Sequence, residues 1–219
     1  QPVLRKGEWK ITVALHKGNH DQAARILDIW PSFHEGGLYG LAIDLGSTTI
    51  AAHLCDLRDG KVLASSGLMN PQIRFGEDLM SRVSYAMMNP GGDVEMTRAV
   101  REAINALAAS IAAEAKVASA DVFEVVFVCN PVMHHLLLGI DPVELGQAPF
   151  ALALSGSLSL PARELDLSNL NRAAQVYVLP CIAGHVGADC AAVALSEEPG
   201  KSDDMVLIVD VGTNAEILL

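Results

Sequence analysis

Apolar and polar positions alternate with a period of two over residues 9–15, which predicts a short strand. Polar residues follow, then an apolar run over 25–30 that ends at Pro31. From Leu38 a second apolar run leads to Asp44 and the turn Gly46-Ser47-Thr48-Thr49, and a strand resumes over residues 50–57. Asp59-Gly60 marks the next hairpin turn, with a third strand over residues 61–66. The period then lengthens to that of a helix. Leu79, Val83 and Met87 share one face of a helix predicted over residues 77–88, and Met96, Val100, Ile104, Leu107 and Ile111 predict a longer one over 93–117. Residues 122–129 are β-branched and aromatic almost throughout, the pattern of a central strand buried on both faces, and Asn130-Pro131 ends it. A short apolar helix is predicted over 132–138, where helical spacing lets only one of His134 and His135 face inward. Residues 146–171, with Leu/Ser alternation and Pro161, read as an extended insertion or a loop-rich subdomain. A strand over 176–180, an Ala-rich helix opened by Gly187-Ala188-Asp189 and ending near Leu195, a polar linker over 199–204, and strands over 205–209 and 215–219 complete the pattern.

Charge and composition narrow what such an α/β chain can do. The 219 residues carry 15 Lys+Arg and 26 Asp+Glu, a formal net charge of −11. No basic run interrupts the acidity, so nucleic-acid and anionic-membrane partners are excluded as expectations. The acidic surface reads as a solvated face, or one that meets a basic patch on a partner. Hydrophobic residues make up 51% but aromatics only 5%, so the core is built from aliphatic side chains. Residues 1–37 hold five bases and four acids, against ten and 22 in residues 38–219, which puts a boundary near Gly36-Gly37. Cys55, Cys129, Cys181 and Cys190 stand far apart beside apolar residues, the usage of buried free thiols in a reducing compartment. The chain begins at Gln1, shows no signal-peptide pattern and has no apolar run long enough to span a bilayer; it reads as cytoplasmic and as part of something longer.

A repeat carries the chemistry. Leu41-Ala42-Ile43-Asp44-Leu45-Gly46-Ser47-Thr48-Thr49 and Leu207-Ile208-Val209-Asp210-Val211-Gly212-Thr213-Asn214 share one grammar of apolar strand, acid, apolar residue, glycine, polar turn and next strand. Glycine lets the backbone turn closely around an oxyanion, consecutive N–H groups form an anion-binding concavity, and hydroxyls add neutral donors. An acid at the strand end suits hydrated Mg²⁺, which is held by one or two carboxylates plus phosphate oxygens. An ordinary hairpin whose Asp bonds its own backbone explains one copy. Two copies, each between apolar strands, favour a shared role in phosphate handling. G-x-G-x-x-G and G-x-x-x-x-G-K-S/T are both absent, which argues against Rossmann and P-loop folds.

The paired motifs resemble the phosphate 1 and phosphate 2 segments of the actin-like ATPase superfamily. Within it, Tyr39-Gly40-Leu41-Ala42-Ile43-Asp44, Asn70-Pro71-Gln72 with Gly76-Glu77-Asp78 and Ser81-Arg82, Met133-His134-His135-Leu136-Leu137-Leu138-Gly139, and residues 179–189 through Gly187-Ala188-Asp189 are similar to the reductive activators of corrinoid proteins. The resemblance covers about residues 37–219. It implies an α/β fold, an actin-like ATPase (ribonuclease H-like) domain with a mixed sheet flanked by helices and a truncated second domain. Residues 1–37 would be a linker or the end of a preceding module, 38–204 the first ATPase-type domain, and 205–219 the start of the second. The implied activity is ATP-dependent return of a Co(II) corrinoid to Co(I), with ATP and Mg²⁺ as cofactors and a 2Fe–2S cluster in a domain outside this chain. The implied partner is a corrinoid protein of a methyltransferase system, with a homodimer as a further expectation. The chain departs from the family in lacking a ferredoxin cysteine pattern, in stopping at the second phosphate hairpin, and in having Cys129 where Gly is expected before Asn130.

Carried over residue by residue, the resemblance makes Asp44 and Asp210 the holders of hydrated Mg²⁺. Gly46, Ser47, Thr48, Thr49, Gly187, Gly212, Thr213 and Asn214 become binding residues for the nucleotide phosphates. Asn130 and Asp189 are the catalytic candidates, Asp189 either orienting water or serving as a helix N-terminal acid. His134 and His135 are favoured as structural, and His185 is left open between the two roles. ATPase activity is expected of the full-length protein and little turnover of residues 1–219 alone. A small-molecule kinase of the same superfamily and a nucleotide-free interaction domain are the competing readings.

Overall fold

The computed structural model describes residues 1–17, 23–201, 204–212 and 215–219. A short helix α1 (Pro2–Lys6) leads into an antiparallel hairpin of β1 (Ile11–His16) and β2 (Arg25–Pro31). The hairpin docks on the main sheet through three contacts. His16 Nδ1 lies 2.6 Å from Glu124 Oε1, Arg25 donates to Gln175 Oε1 at 3.3 Å, and Trp30 meets Phe123 edge-on at 5.9 Å.

Three strands form the expected meander, β3 (Tyr39–Leu45), β4 (Thr49–Asp56) and β5 (Val62–Met69), antiparallel at each step. After a 3₁₀ turn over Pro71–Phe75 come α2 (Leu79–Met88), capped by Asp78 accepting from Ser81 N–H at 2.7 Å, and the long α3 (Gly92–Glu114). β6 (Val122–Cys129) returns parallel to β3, and α4 (Pro131–Leu138) follows at once. β7 (Leu158–Pro161) and β8 (Gln175–Val178) complete a six-stranded mixed sheet of order β5-β4-β3-β6-β8-β7, in which β3, β6 and β8 are parallel. α5 (Ala188–Glu197) and a separate hairpin of β9 (Ile208–Val211) and β10 (Ala215–Leu218) end the chain. No helix among the described residues is long and apolar enough to cross a membrane.

One sheet face makes the core. Leu41, Ile43 and Leu45, with Ile50, Ala52 and Leu54 and with Val125 and Phe127, alternate onto it, and the α3 stripe Met96, Val100, Ile104, Leu107 and Ile111 packs against them. These are the spacings of the sequence pattern, two on the strands and three or four on the helix. β6 differs from expectation. Val126 and Val128 are only half-buried; α5 packs against β6, and the β1–β2 hairpin reaches it at Glu124 and Phe123. Residues 146–171 are loop-rich but not separate from the domain. They supply edge strand β7 and bury Ala162, Leu165, Leu167 and Leu170 in the same core.

The histidine expectation is corrected, since His134 and His135 are 0% and 1% exposed. α4 has no solvent face, being packed by α2, α3 and β6 with residue 153 closing the remainder. His135 donates from Nδ1 to Pro131 O at 2.8 Å and accepts the Ala153 N–H at Nε2 at 3.1 Å, which makes it neutral. His134 Nε2 is buried without a partner among the described residues. Burial, then the neighbouring His135, pushes the His134 pKa down to about 4. The unfolded chain therefore binds a proton that the folded chain refuses as pH falls from about 6.5 toward 4, and stability is lost across that window. Replacing His134 by Leu is expected to remove about 2 kcal/mol of the stability lost between pH 7 and pH 5. Urea denaturation at the two pH values checks this; an identical acid-side loss in wild type and variant would refute it.

Candidate functional site

Ligands of open α/β sheets bind beyond the carboxyl ends of parallel strands. Here β3, β6 and β8 each deliver a part of one site at that end. β3 carries Asp44 and continues into the turn Gly46-Ser47-Thr48, β6 is followed by Asn130, and the segment after β8 reaches Gly187 and Asp189. A cavity of about 260 Å³ is lined by Asp44, Gly46, Ser47, Thr48 and Thr49 from the first hairpin, by Asn130 and Asp189, and by Asp210, Gly212 and Glu216 from the second. The two motifs, about 165 residues apart in sequence, thus face one space. Thr213 and Asn214 lie outside the described residues. Gly187 is not on the cavity wall; it is buried against the backbone of Cys129 and Asn130.

The two hairpins are built alike, with the acid two residues before the glycine and the partner strand three residues after it. A Cβ at Gly46 would come within 2.6 Å of Thr49 O, so the closeness of the turn demands glycine there. The first turn is held from behind. Asn70, fully buried, donates from Nδ2 to Gly46 O at 2.8 Å and from its backbone N–H to Thr48 O at 2.8 Å, while Arg82 donates to Ser47 O. In a trans peptide the N–H points opposite to the C=O. Three consecutive carbonyls facing the protein therefore turn the amides of Ser47, Thr48 and Thr49 the other way, on a turn that borders the cavity.

Asn130 caps α4 by accepting the Met133 N–H at Oδ1, 2.9 Å away, which leaves the two N–H donors of Nδ2 and one lone pair of Oδ1. It can bind an anion or water but has no base to offer. Asp189 sits in the first turn of α5 and accepts the Cys190 N–H at 2.9 Å, which satisfies the helix-terminal role without removing its second oxygen from use.

Four carboxylates border the cavity, and their charges oppose one another. Burial first, then Asp189 and Asp210, raise the pKa of Asp44; the single opposing influence is His53. Burial raises Asp189, with Asp210 adding to it, and burial followed by Asp189 and Asp210 raises Glu216. Glu216 stands directly across the ladder from Asp210, a like-charge cross-strand pair that is unfavourable without a cation. Sequence reasoning stopped the second motif at Asn214 and missed Glu216. No local signal marks it, because its meaning comes from the ladder register that sets it opposite Asp210. Arg82 stands three after Leu79 and next to Val83, on the apolar side of α2, a placement that marks a buried cation.

Among the described residues no three His, Cys, Asp or Glu groups converge to hold a metal ion directly. This donor set fits Mg²⁺, which keeps several waters and takes one or two carboxylates plus phosphate oxygens. None of the four cysteines lines this cavity. A second cavity, about 700 Å³ and mainly apolar, lies beside the first between α2, α4, residues 184–186 and β10, with Glu216 on both walls.

The fold and its cavity define an α/β domain with a mixed sheet that presents two acid-glycine hairpins to one space. The sequence profile of the RACo middle region matches residues 39–200, and that of the RACo linker region matches residues 1–36. The chain belongs to this family and carries its linker and middle regions. It is 34% identical over 194 residues to the corrinoid activation enzyme RamQ of Eubacterium limosum, an alignment covering 88% of this chain and 32% of that protein. A solved structure described as a reductive activator for corrinoid, iron-sulfur protein superposes with a TM-score of 0.92 at 33% identity, over 99% of this chain and 34% of the other. The chain spans about a third of the length of each of these relatives.

Proposed function

We propose that this chain is the linker and middle part of an ATP-dependent reductive activator of a corrinoid protein. On this reading residues 38–204 are the first, actin-like (ribonuclease H-like) ATPase domain and residues 205–219 begin the second. Binding and hydrolysis of ATP between them assist a 2Fe–2S domain, carried outside this chain, in returning Co(II) corrinoid to Co(I). The observation that carries the reading is the convergence of both acid-glycine hairpins, with Asn130 and Asp189, on one cavity. The 33–34% identity to proteins described as corrinoid activators supports the choice of partner.

The roles follow from the chemistry of the groups. The amides of Ser47, Thr48 and Thr49 and the hydroxyls of that turn donate to phosphate oxygens, as Gly212, Thr213 and Asn214 do from the opposite hairpin. Asp44 and Asp210 accept hydrogen bonds from the waters of Mg²⁺, with Glu216 beside Asp210 adding charge to the same wall. Mg²⁺, when bound, neutralises charge on the β and γ phosphates. Asp189, held at one oxygen by the Cys190 N–H, orients a water with the other. Its raised pKa makes it a better proton acceptor than an ordinary Asp.

The 700 Å³ cavity favours a second reading, a small-molecule kinase, since it is large enough for an acceptor substrate and carries Asp78 and Glu216. Two measurements on the full-length protein separate the readings. Calorimetric titration is expected to show ATP binding that requires Mg²⁺; an absence of binding removes both. With a reductant and ATP, the protein is expected to restore the Co(I) absorbance of its corrinoid partner. Intact ATP binding without that restoration, together with phosphate transfer to a small acceptor, would transfer the assignment to the kinase.

A further inference from the structure

Arg82 is among the largest fully buried side chains of the described residues, and it is a cation. Among the described residues its hydrogen bonds go to neutral acceptors only. Nε donates to Gly76 O at 3.0 Å, Nη1 to Gln72 Oε1 at 3.3 Å and to Met133 Sδ at 3.0 Å, and Nη2 to Ser47 O. Gln72 is itself fixed, its Nε2 donating to Met96 O at 2.9 Å and its backbone N–H to Asn70 Oδ1 at 2.9 Å. Burial lowers the Arg82 pKa to about 10, which still leaves it charged at neutral pH. The charge of Asp78 favours the cation, but a buried cation whose hydrogen bonds go to dipoles still costs free energy that a nearby anion would offset.

The position of the charge indicates what that ligand is. Ser47 O, the acceptor of Nη2, belongs to the same peptide as the Thr48 N–H, and the two point in opposite directions. A guanidinium on the carbonyl polarises that peptide and strengthens its N–H as a donor on the cavity side. Asn70 holds the peptides before and after it, so three successive peptide planes are locked in one orientation.

We infer that Arg82 is a positioning residue for phosphate recognition: it acts through the Ser47–Thr48 peptide, and its charge is balanced when the polyphosphate of a nucleotide lies on the other side of the turn. The inference rests on the nucleotide reading above and adds a residue that touches neither nucleotide nor metal.

The test compares ATP·Mg²⁺ with adenosine, which has no phosphate, by titration of the full-length protein. Arg82→Gln keeps an amide donor on a shorter side chain and removes the charge. It is expected to weaken ATP about tenfold, the loss of one charge-assisted contact, and to leave adenosine unchanged. Arg82→Lys keeps the charge and is expected to stay within about threefold of wild type for ATP. Parallel weakening of ATP and adenosine in Arg82→Gln, or full ATP affinity in that variant, overturns the inference and leaves a structural role. If Arg82→Gln does not unfold cooperatively, Arg82→Lys decides: retention supports the charge, and a loss beyond tenfold overturns it. Wild-type protein that binds no ATP would instead remove the nucleotide reading itself.

Discussion

Asp44→Asn is expected to lower ATP turnover of the full-length protein roughly a hundredfold and, in the absence of nucleotide and Mg²⁺, to raise its thermal midpoint. The two effects have one cause. Burial and the charges of Asp189 and Asp210 raise the Asp44 pKa, so the folded state holds its proton more readily than the unfolded state does. The ionised form of Asp44 therefore weakens the fold, and the penalty is relieved as pH falls through the raised pKa. Asparagine removes the charge at every pH and so removes the penalty. On the proposed reading it also removes the group that would hold the waters of the metal, which is where the hundredfold loss would arise. Mg²⁺ alone is expected to reproduce the stabilisation in wild type and to do less for the variant. Calorimetric scans with and without Mg²⁺, beside a phosphate-release assay, read both effects. Wild-type turnover in the variant would sink the metal role of Asp44, and a lowered midpoint would sink the electrostatic account. A site whose charges are unfavourable until a ligand arrives exchanges stability for function.

How far the sequence disclosed this arrangement depended on how local the cause was. The strand that became β6 and the helix that became α3 are within a few residues of expectation because their periods are properties of the chain alone. Asp44 and Asp210 were legible because a single short grammar occurs twice, and the cavity brings the copies together. Glu216 was not, because its meaning comes from a ladder partner, Asp210, rather than from its neighbours in sequence. Arg82 and Asn70 were visible as residues but not as a device, since the carbonyls they hold are 22 to 35 positions away. The inward turn of both His134 and His135 was hidden for a related reason. Helical spacing gives a helix one buried side, whereas α4 is enclosed by elements from three parts of the chain.

Gly187 shows how the fold's packing sets the geometry of the site, and Gly187→Ala is expected to cost about 2–3 kcal/mol of stability and to weaken ATP binding. Its backbone, at φ −91° and ψ −169°, is open to any residue, so conformational freedom does not explain the glycine. Space does. A Cβ there would lie 2.5 Å from Cys129 O and from Asn130 Cα, and 2.6 Å from Asp189 Oδ1. Two of those three are backbone atoms at the end of the central strand, which no rotamer change can move aside. Relief requires the first turn of α5 to retreat from the β6–α4 junction, and Asp189 travels with that turn away from the cavity. Gly200→Ala, where nothing stands within 4 Å of the added carbon, is the control and is expected to match wild type in both respects. Urea denaturation and ATP titration of the two variants read the difference. If Gly187→Ala stays within about 0.5 kcal/mol of the control, the close approach of α5 to β6 is not what holds Asp189 in place.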